Sequence, residues 1–251
     1  MQLNENERLD VVNEGIRLIQ RKDGLTYGTD ALLLSAYINV TATTAVEFGS
    51  GTGIISLLLM QRSKASHIYA YEVQDTFASL TRKNAEINGQ ADNITVFSCD
   101  VRDAKKSDLP READVLFTNP PYMKGGAGYE NSSDEKNIAR REICGSIDDF
   151  CSSAKKLLKH GGRFYCVYRP DRLIELLSAM RNNRIEPKRM TFVHPDPDSA
   201  PSLVLVEGRF GAGVELNVTR PLIIYTDKNH DTYTEDTNYI YENGNFPKER
   251  F

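Results

Sequence analysis

The chain has 251 residues, enough for one substantial domain with a full core or at most two small ones, and its 40% hydrophobic and 26% charged residues are ordinary globular composition. Its 31 Lys and Arg against 35 Asp and Glu leave a net charge of -4, so any basic surface must be local. Four cysteines (Cys99, Cys144, Cys151, Cys166) without C-x-x-C or metal spacing, a polar segment 1–10 without a signal pattern, and a longest apolar stretch (31–40) too short for a bilayer predict a cytoplasmic protein with free thiols and no metal.

Residues 1–26 read as an N-terminal extension. Tyr27-Gly28-Thr29-Asp30 then leads into an apolar helix over 31–37, with Thr29 or Asp30 as its N-cap. A strand over 44–48 ends in Gly49-Ser50-Gly51-Thr52-Gly53 and is followed by a helix over 54–61. A second strand, 67–71, is closed by Glu72; a helix over 74–88 has Gly89 beyond it. Strands follow at 94–98 and 114–118, ending in Cys99-Asp100 and Asn119-Pro120-Pro121-Tyr122. Segment 123–137, rich in Gly, Ser, Asn and charge, reads as a mobile loop. A helix over 147–159 stopped by Gly161-Gly162, a strand at 163–168 and a helix over 170–181 come next. Strands at 188–193 and 203–210 form a closing pair, and 221–225 is the last strand-like piece of a core spanning 27–225. The tail, 226–251, is polar and rich in tyrosine. Alternating strands and helices predict one α/β domain, a mostly parallel sheet with helices on both faces. Ligands in such sheets bind beyond the carboxyl ends of the strands, where four of these turns converge.

Glycine allows a sharp turn and close ligand approach. Dinucleotide sites use G-x-G-x-x-G, whereas the order here is Glu47-x-Gly49-x-Gly51-x-Gly53. An acidic residue two positions before the first glycine suits a cationic amino-acid moiety better than a pyrophosphate, which favours S-adenosylmethionine. Glu72, with Val73 beside it, is placed to accept from a ribose diol. Asp100 is either a turn residue or the acceptor for an adenine amino group, with Val101 packed near the ring.

Asn119 is biased toward extended geometry by Pro120, and the two prolines stiffen the turn. The turn therefore presents two acceptors, the Asn119 side-chain oxygen and the Pro120 carbonyl, with Tyr122 as a stacking face. Two acceptors aimed at one planar NH₂ favour a more tetrahedral nitrogen and direct its lone pair at a methyl donor. A proline turn with a core tyrosine is the plainer alternative.

These segments resemble the class I methyltransferases that modify adenine N6 or glutamine N5. The stretch from Tyr27 through Asp30 to Leu34, with Ala139-Arg140-Arg141-Glu142, Gly161-Gly162-Arg163-Phe164 and the run from Pro201 to Gly208, resembles bacterial tRNA adenine N6-methyltransferases acting at adenine 37 of a valine tRNA. The resemblance covers roughly residues 10–225. It implies a Rossmann-like, seven-stranded sheet with an antiparallel last strand, and a cofactor site lined also by Tyr27, Gly28 and Thr29. A monomer is expected.

An RNA partner also fits the charge pattern. Residues 151–190 hold ten Lys and Arg against Asp171, Glu175 and Glu186. Arg140, Arg141, Arg163, Arg169, Arg181, Arg184, Lys188 and Arg189 are the expected phosphate contacts; a solvated helix face explains the same pattern. A protein glutamine N5-methyltransferase and a catalytically idle binding module are the alternatives. The first usually carries a helical substrate domain, for which about 25 residues before Tyr27 leave no room.

Overall fold

The computed structural model describes residues 3–12, 15–22, 27–120 and 145–250. Two strands open the chain, β1 (Glu7–Val11) and β2 (Arg17–Arg21), paired antiparallel as a separate hairpin. The main sheet is built from β3 (Ala42–Phe48), β4 (Ala65–Glu72), β5 (Ile94–Ser98), β6 (Ala113–Thr118), β7 (Leu158–Tyr168), β8 (Ile185–His194) and β9 (Leu203–Phe210). Their order across the sheet is β8-β9-β7-β6-β3-β4-β5, with β9 antiparallel to both neighbours and the rest parallel. The seven expected strands, antiparallel last strand included, are therefore present. Two-residue strands β10 (Asn217–Val218) and β11 (Leu222–Ile223) extend the β8 edge to nine.

Among the described residues six α-helices accompany the sheet: α1 (Thr29–Tyr37), α2 (Ile54–Gln61), α3 (Asp75–Ile87), α4 (Ile147–Leu157), α5 (Leu173–Asn182) and α6 (Glu235–Asn243). One apolar cluster packs α1 and α2 on a face through Leu33, Leu58, Ile68 and Phe117; the other packs α4 and α5 on the opposite face through Phe150, Leu157, Phe164 and Leu176. The β-strand period of two sends alternate side chains of one strand to these two layers. Val115 and Phe117 of β6 lie in the first, Leu116 in the second.

Three local expectations change. Helix α4 ends at Leu157, before the glycine pair, and β7 starts at once. Gly161 and Gly162 instead sit inside β7, where the register against β6 jumps from Ala113↔Leu158 to Val115↔Arg163. A Cβ on Gly162 would stand 2.8 Å from the Lys159 carbonyl oxygen, so the close approach of backbones requires glycine. The N-cap of α1 is Gly28, not Thr29 or Asp30, and no side chain caps it. The polar tail is ordered by α6, whose N-cap Thr234 accepts from the Thr237 amide.

The extension and the tail are both tied to the core by polar groups. Asn84 of α3, fully buried, accepts from the Ile19 amide at 2.7 Å and donates to the Ile19 and Thr52 carbonyls at 3.0 and 2.9 Å. Asn88, one turn later, repeats the exchange with the backbone of Arg17. Together they offer β2 the pairing that another strand would supply. Lys64 donates to the carbonyls of Ser35, Ile38 and Gly244, joining the C-terminal ends of α1 and α6.

Candidate active site

The C-terminal ends of β3, β4, β5 and β6 lie side by side, since Phe48 pairs with Tyr71 and Thr118, and Glu72 with Ser98. The Thr118 hydroxyl donates to the Phe48 carbonyl at 2.9 Å and locks the Asn119 turn to the glycine loop. Gly49, Gly51 and Gly53 all have positive φ, at 71°, 57° and 79°, which side-chain-bearing residues rarely adopt. A Cβ on Gly49 or Gly51 would meet nothing within 4 Å, so both backbones border open space.

Glu72 is 5% exposed and braces this loop. One carboxylate oxygen accepts from the Gly51 amide, the other from the Gln74 amide, each at 2.9 Å. Each oxygen keeps a further lone pair for a ribose hydroxyl. Thr81 of α3 adds a second brace by donating to the Gly51 carbonyl at 2.9 Å. Val73 is half-buried beside Glu72, and Val101 is buried at the end of the adjoining turn.

Glu47 is 1% exposed and accepts a hydrogen bond from Ser56 of α2. Burial pushes its carboxyl up to about 8; the Ser56 hydrogen bond opposes this and the nearby Glu72 charge adds to it. The folded protein thus holds a proton there that the unfolded chain releases near 4.5. Raising pH between those values favours the unfolded chain. We expect Glu47→Gln to raise the melting temperature relative to wild type by an amount absent below pH 4.5, growing as pH rises, and constant above about 8. A pH-independent difference in thermal melts would refute this.

Asp100 is occupied within the protein. Its carboxylate accepts from the Arg102 amide at 2.8 Å and from the Arg102 guanidinium at 2.9 Å, and this pairing lowers its pKa against the opposing effect of burial. An adenine amino group there would share or displace a half-exposed guanidinium.

Asn119 carries the most informative geometry. Its Nδ2 donates to Asp30 at 2.9 Å, while its Oδ1, also buried, has no partner among the described residues. A buried carbonyl oxygen left unpartnered costs roughly 1–3 kcal/mol, so such an atom in a site points to a ligand donor. Pro120 is buried beside it. Tyr27 is half-buried, its amide held by Gln20 of β2 at 3.2 Å, and the Thr29 side chain shares a hydrogen bond with Tyr241 of α6. The hairpin and the tail therefore both position the segment 27–29. Pro121, Tyr122, Arg140, Arg141 and the segment 123–137 lie outside the described residues.

The cations of 151–190 do not form one patch, because the chain crosses the sheet twice in that interval. Arg169 follows the end of β7, at the edge that holds Asn119, and pairs with Asp171. Arg163, Arg181 and Arg184 lie toward the opposite edge, near the starts of β7 and β8, and Lys188 reaches the Gly213 carbonyl. Arg163 borders a cleft of about 420 Å³ there, far from the glycine loop. Arg189 is a correction: it is 7% exposed, ion-paired with Glu207 at 2.8 Å, bonded to the Tyr37 carbonyl at 3.0 Å, and stacked over the Tyr37 ring. A phosphate cannot reach it. Arg189→Ala is expected to cost about 3 kcal/mol of stability, as for other broken buried ion pairs, measured by denaturant unfolding, with RNA affinity of the folded protein unchanged; a stability loss under about 1 kcal/mol contradicts this.

Sequence reasoning missed three groups. Asp30 enters the sequence analysis as a helix cap and as part of the resembling stretch 27–34, with no sign that it pairs with Asn119. Asn84 and Thr81 lie inside a helix, where no local pattern marks a residue that braces a loop. Among the described residues no group of three or more His, Cys, Asp or Glu could hold a metal ion, and no helix is long and apolar enough to cross a membrane.

This strand order, with a glycine loop after its central strand and Asn119-Pro120 at the end of the neighbouring one, is that of the Rossmann-like class I methyltransferase fold. The family model described as Methyltransferase small domain matches residues 21–183, and the chain belongs to that family. Over 150 residues it is 33% identical to the tRNA1(Val) (adenine(37)-N6)-methyltransferase of Histophilus somni, covering 59% of this chain and 62% of that protein. It is 30% identical over 184 residues to the protein of the same name in Phocaeicola vulgatus, covering 73% and 76%. Among solved structures, a predicted O-methyltransferase of Agrobacterium tumefaciens superposes with a TM-score of 0.68 at 23% identity, covering 86% of this chain and 96% of that one. The tRNA m1G37 methyltransferase of M. jannaschii superposes at 0.55 and 16% identity, covering 85% and 59%. These two likenesses concern the fold.

Proposed function

We propose that this chain methylates the exocyclic N6 of an adenine in tRNA, at position 37 beside the anticodon of a valine tRNA. The observation that carries the reading is the buried, unpartnered Oδ1 of Asn119, held at the end of β6 beside the glycine loop. The names of its relatives supply the nucleic acid and the position.

Gly49, Gly51 and Gly53, Glu72 and Asp100, with Tyr27, Gly28 and Thr29, are the residues that would hold S-adenosylmethionine, which supplies an electrophilic methyl on a sulfonium. The lone pair of an adenine amino group is delocalised into the ring and is a poor nucleophile. Asn119 Oδ1 and the Pro120 carbonyl accept from its two N–H bonds, hold the nitrogen in line and favour pyramidal geometry. Alignment of reacting groups is worth up to roughly 7–11 kcal/mol. The base must leave its stack, at a cost of a few kcal/mol that is smaller in an anticodon loop. Of the expected phosphate contacts, Arg169 stands at the edge where such a loop would approach.

The test is mass spectrometry of nucleosides from unmodified tRNA incubated with the protein and labelled S-adenosylmethionine. One labelled N6-methyladenosine per valine tRNA is expected. Label in a release-factor glutamine and none in RNA would replace the substrate assigned here.

A further inference from the structure

We infer that Asp30 is a positioning residue for the methyl transfer: it fixes which atom of the Asn119 amide meets the target nitrogen. The inference rests on the functional reading above and extends it to a residue that touches neither cofactor nor base.

An asparagine amide has two ends of nearly the same shape and opposite hydrogen-bonding character. Only the oxygen end suits a target NH₂; the nitrogen end would set donor against donor. Nothing in the Asn119-Pro120 turn distinguishes the two, because proline restrains the Asn119 backbone and leaves the side-chain amide free to rotate by half a turn. A carboxylate can only accept. With an oxygen of Asp30 2.9 Å from the amide, the nitrogen end must face it and Oδ1 must face away, as observed.

The carboxylate is itself held. Its other oxygen accepts from the Ala31 amide at 2.9 Å, in the first turn of α1, where the free amides of a helix start favour an anion. Gly28 leaves the room: a Cβ at that position would stand 2.7 Å from that same oxygen. Tyr241 reaches Thr29 from α6, so the neighbour of Asp30 is fastened on a second side. The Gly-Thr-Asp sequence that starts α1 and the Asn-Pro pair 89 residues later thus form one device.

The experiment compares wild type, Asp30→Ala, Asp30→Asn, Asn119→Asp and the exchange Asp30→Asn with Asn119→Asp, by steady-state methylation of tRNA. S-adenosylhomocysteine affinity and melting temperature are measured for each. Asp30→Ala should lower kcat on the order of 10–100-fold, the cost of slight misplacement of a reacting group, with KM for tRNA and cofactor affinity nearly unchanged. Asn119→Asp alone places two carboxylates face to face and should be less active still. The exchange restores donor to acceptor, now from position 30 to position 119, and leaves an oxygen aimed at the base; it should exceed Asn119→Asp at least about tenfold. A merely structural role for Asp30 predicts no such recovery. If wild type transfers no methyl group to tRNA, the functional reading falls and this inference with it. If wild type is active and Asp30→Ala keeps full kcat, or the folded exchange variant is no better than Asn119→Asp, the inference alone falls.

Discussion

Asn119→Ala is expected to bind cofactor as wild type does and to lose on the order of 10²–10³-fold in kcat, the range seen when one preorganised hydrogen-bonding group is removed from a reacting centre. The separation of the two effects follows from the geometry. The glycine loop and Glu72 are braced by Gln74, Thr81 and each other, and none of their hydrogen bonds involves the Asn119 side chain. Among the described residues the Asn119 side chain engages Asp30 alone, through its nitrogen, and its oxygen is unpartnered. Truncation therefore removes a buried unsatisfied atom while leaving Asp30 on the Ala31 amide, and the melting temperature should change little. Single-turnover methylation of tRNA together with calorimetric titration of S-adenosylhomocysteine separates chemistry from binding. Full kcat in the variant sinks the mechanism; loss of cofactor binding shows that Asn119 belongs to the cofactor site instead.

The second large effect is expected at Glu72. Glu72→Ala strips both the Gly51 and Gln74 amides of their acceptor in a buried setting, at roughly 1–3 kcal/mol for each unmade bond. It also removes the acceptor proposed for the ribose diol, so S-adenosylhomocysteine affinity should fall at least about a hundredfold, equivalent to two losses of about 1.4 kcal/mol. Glu72→Gln separates the two contributions. Its single amide oxygen can satisfy one backbone donor, but its NH₂ then confronts the other. Loop stability is partly restored, while the diol faces a changed partner. Melting temperatures should rank wild type, Gln, then Ala. Affinity equal to wild type in the Ala variant would remove Glu72 from the cofactor site.

Neither effect could be placed from local pattern alone, although the residues could be named. Strands such as 94–98 and the turns after them are written in short apolar runs bounded by Gly, Asp and Pro, and the structure places β5 over those same residues. Helix α6 was also locally written, in Thr234 followed by Glu235 and Asp236, but the polar composition of the tail concealed it. The Arg102 partner of Asp100 lies only two residues away and was legible in principle.

Other features had no local signature. Arg189 reads as one more cation in a basic segment, yet its direction on β8 turns it inward against Tyr37 and Glu207. The ten positive residues of 151–190 look like a patch until the path of the chain carries them to opposite edges of the sheet. The hairpin β1–β2 is held by Asn84 of α3 and Asn88 at its C-cap, more than 60 residues away in sequence.

The sequence by itself determined the alternation of strands and helices, the glycine turn and the presence of an acceptor at Asn119, because each rests on backbone preferences within a few residues. Only the tertiary structure decided which end of the Asn119 amide pairs with Asp30 and which cations share its edge. Those outcomes depend on distant residues brought together by parallel strands whose turns all arrive at one end of the sheet.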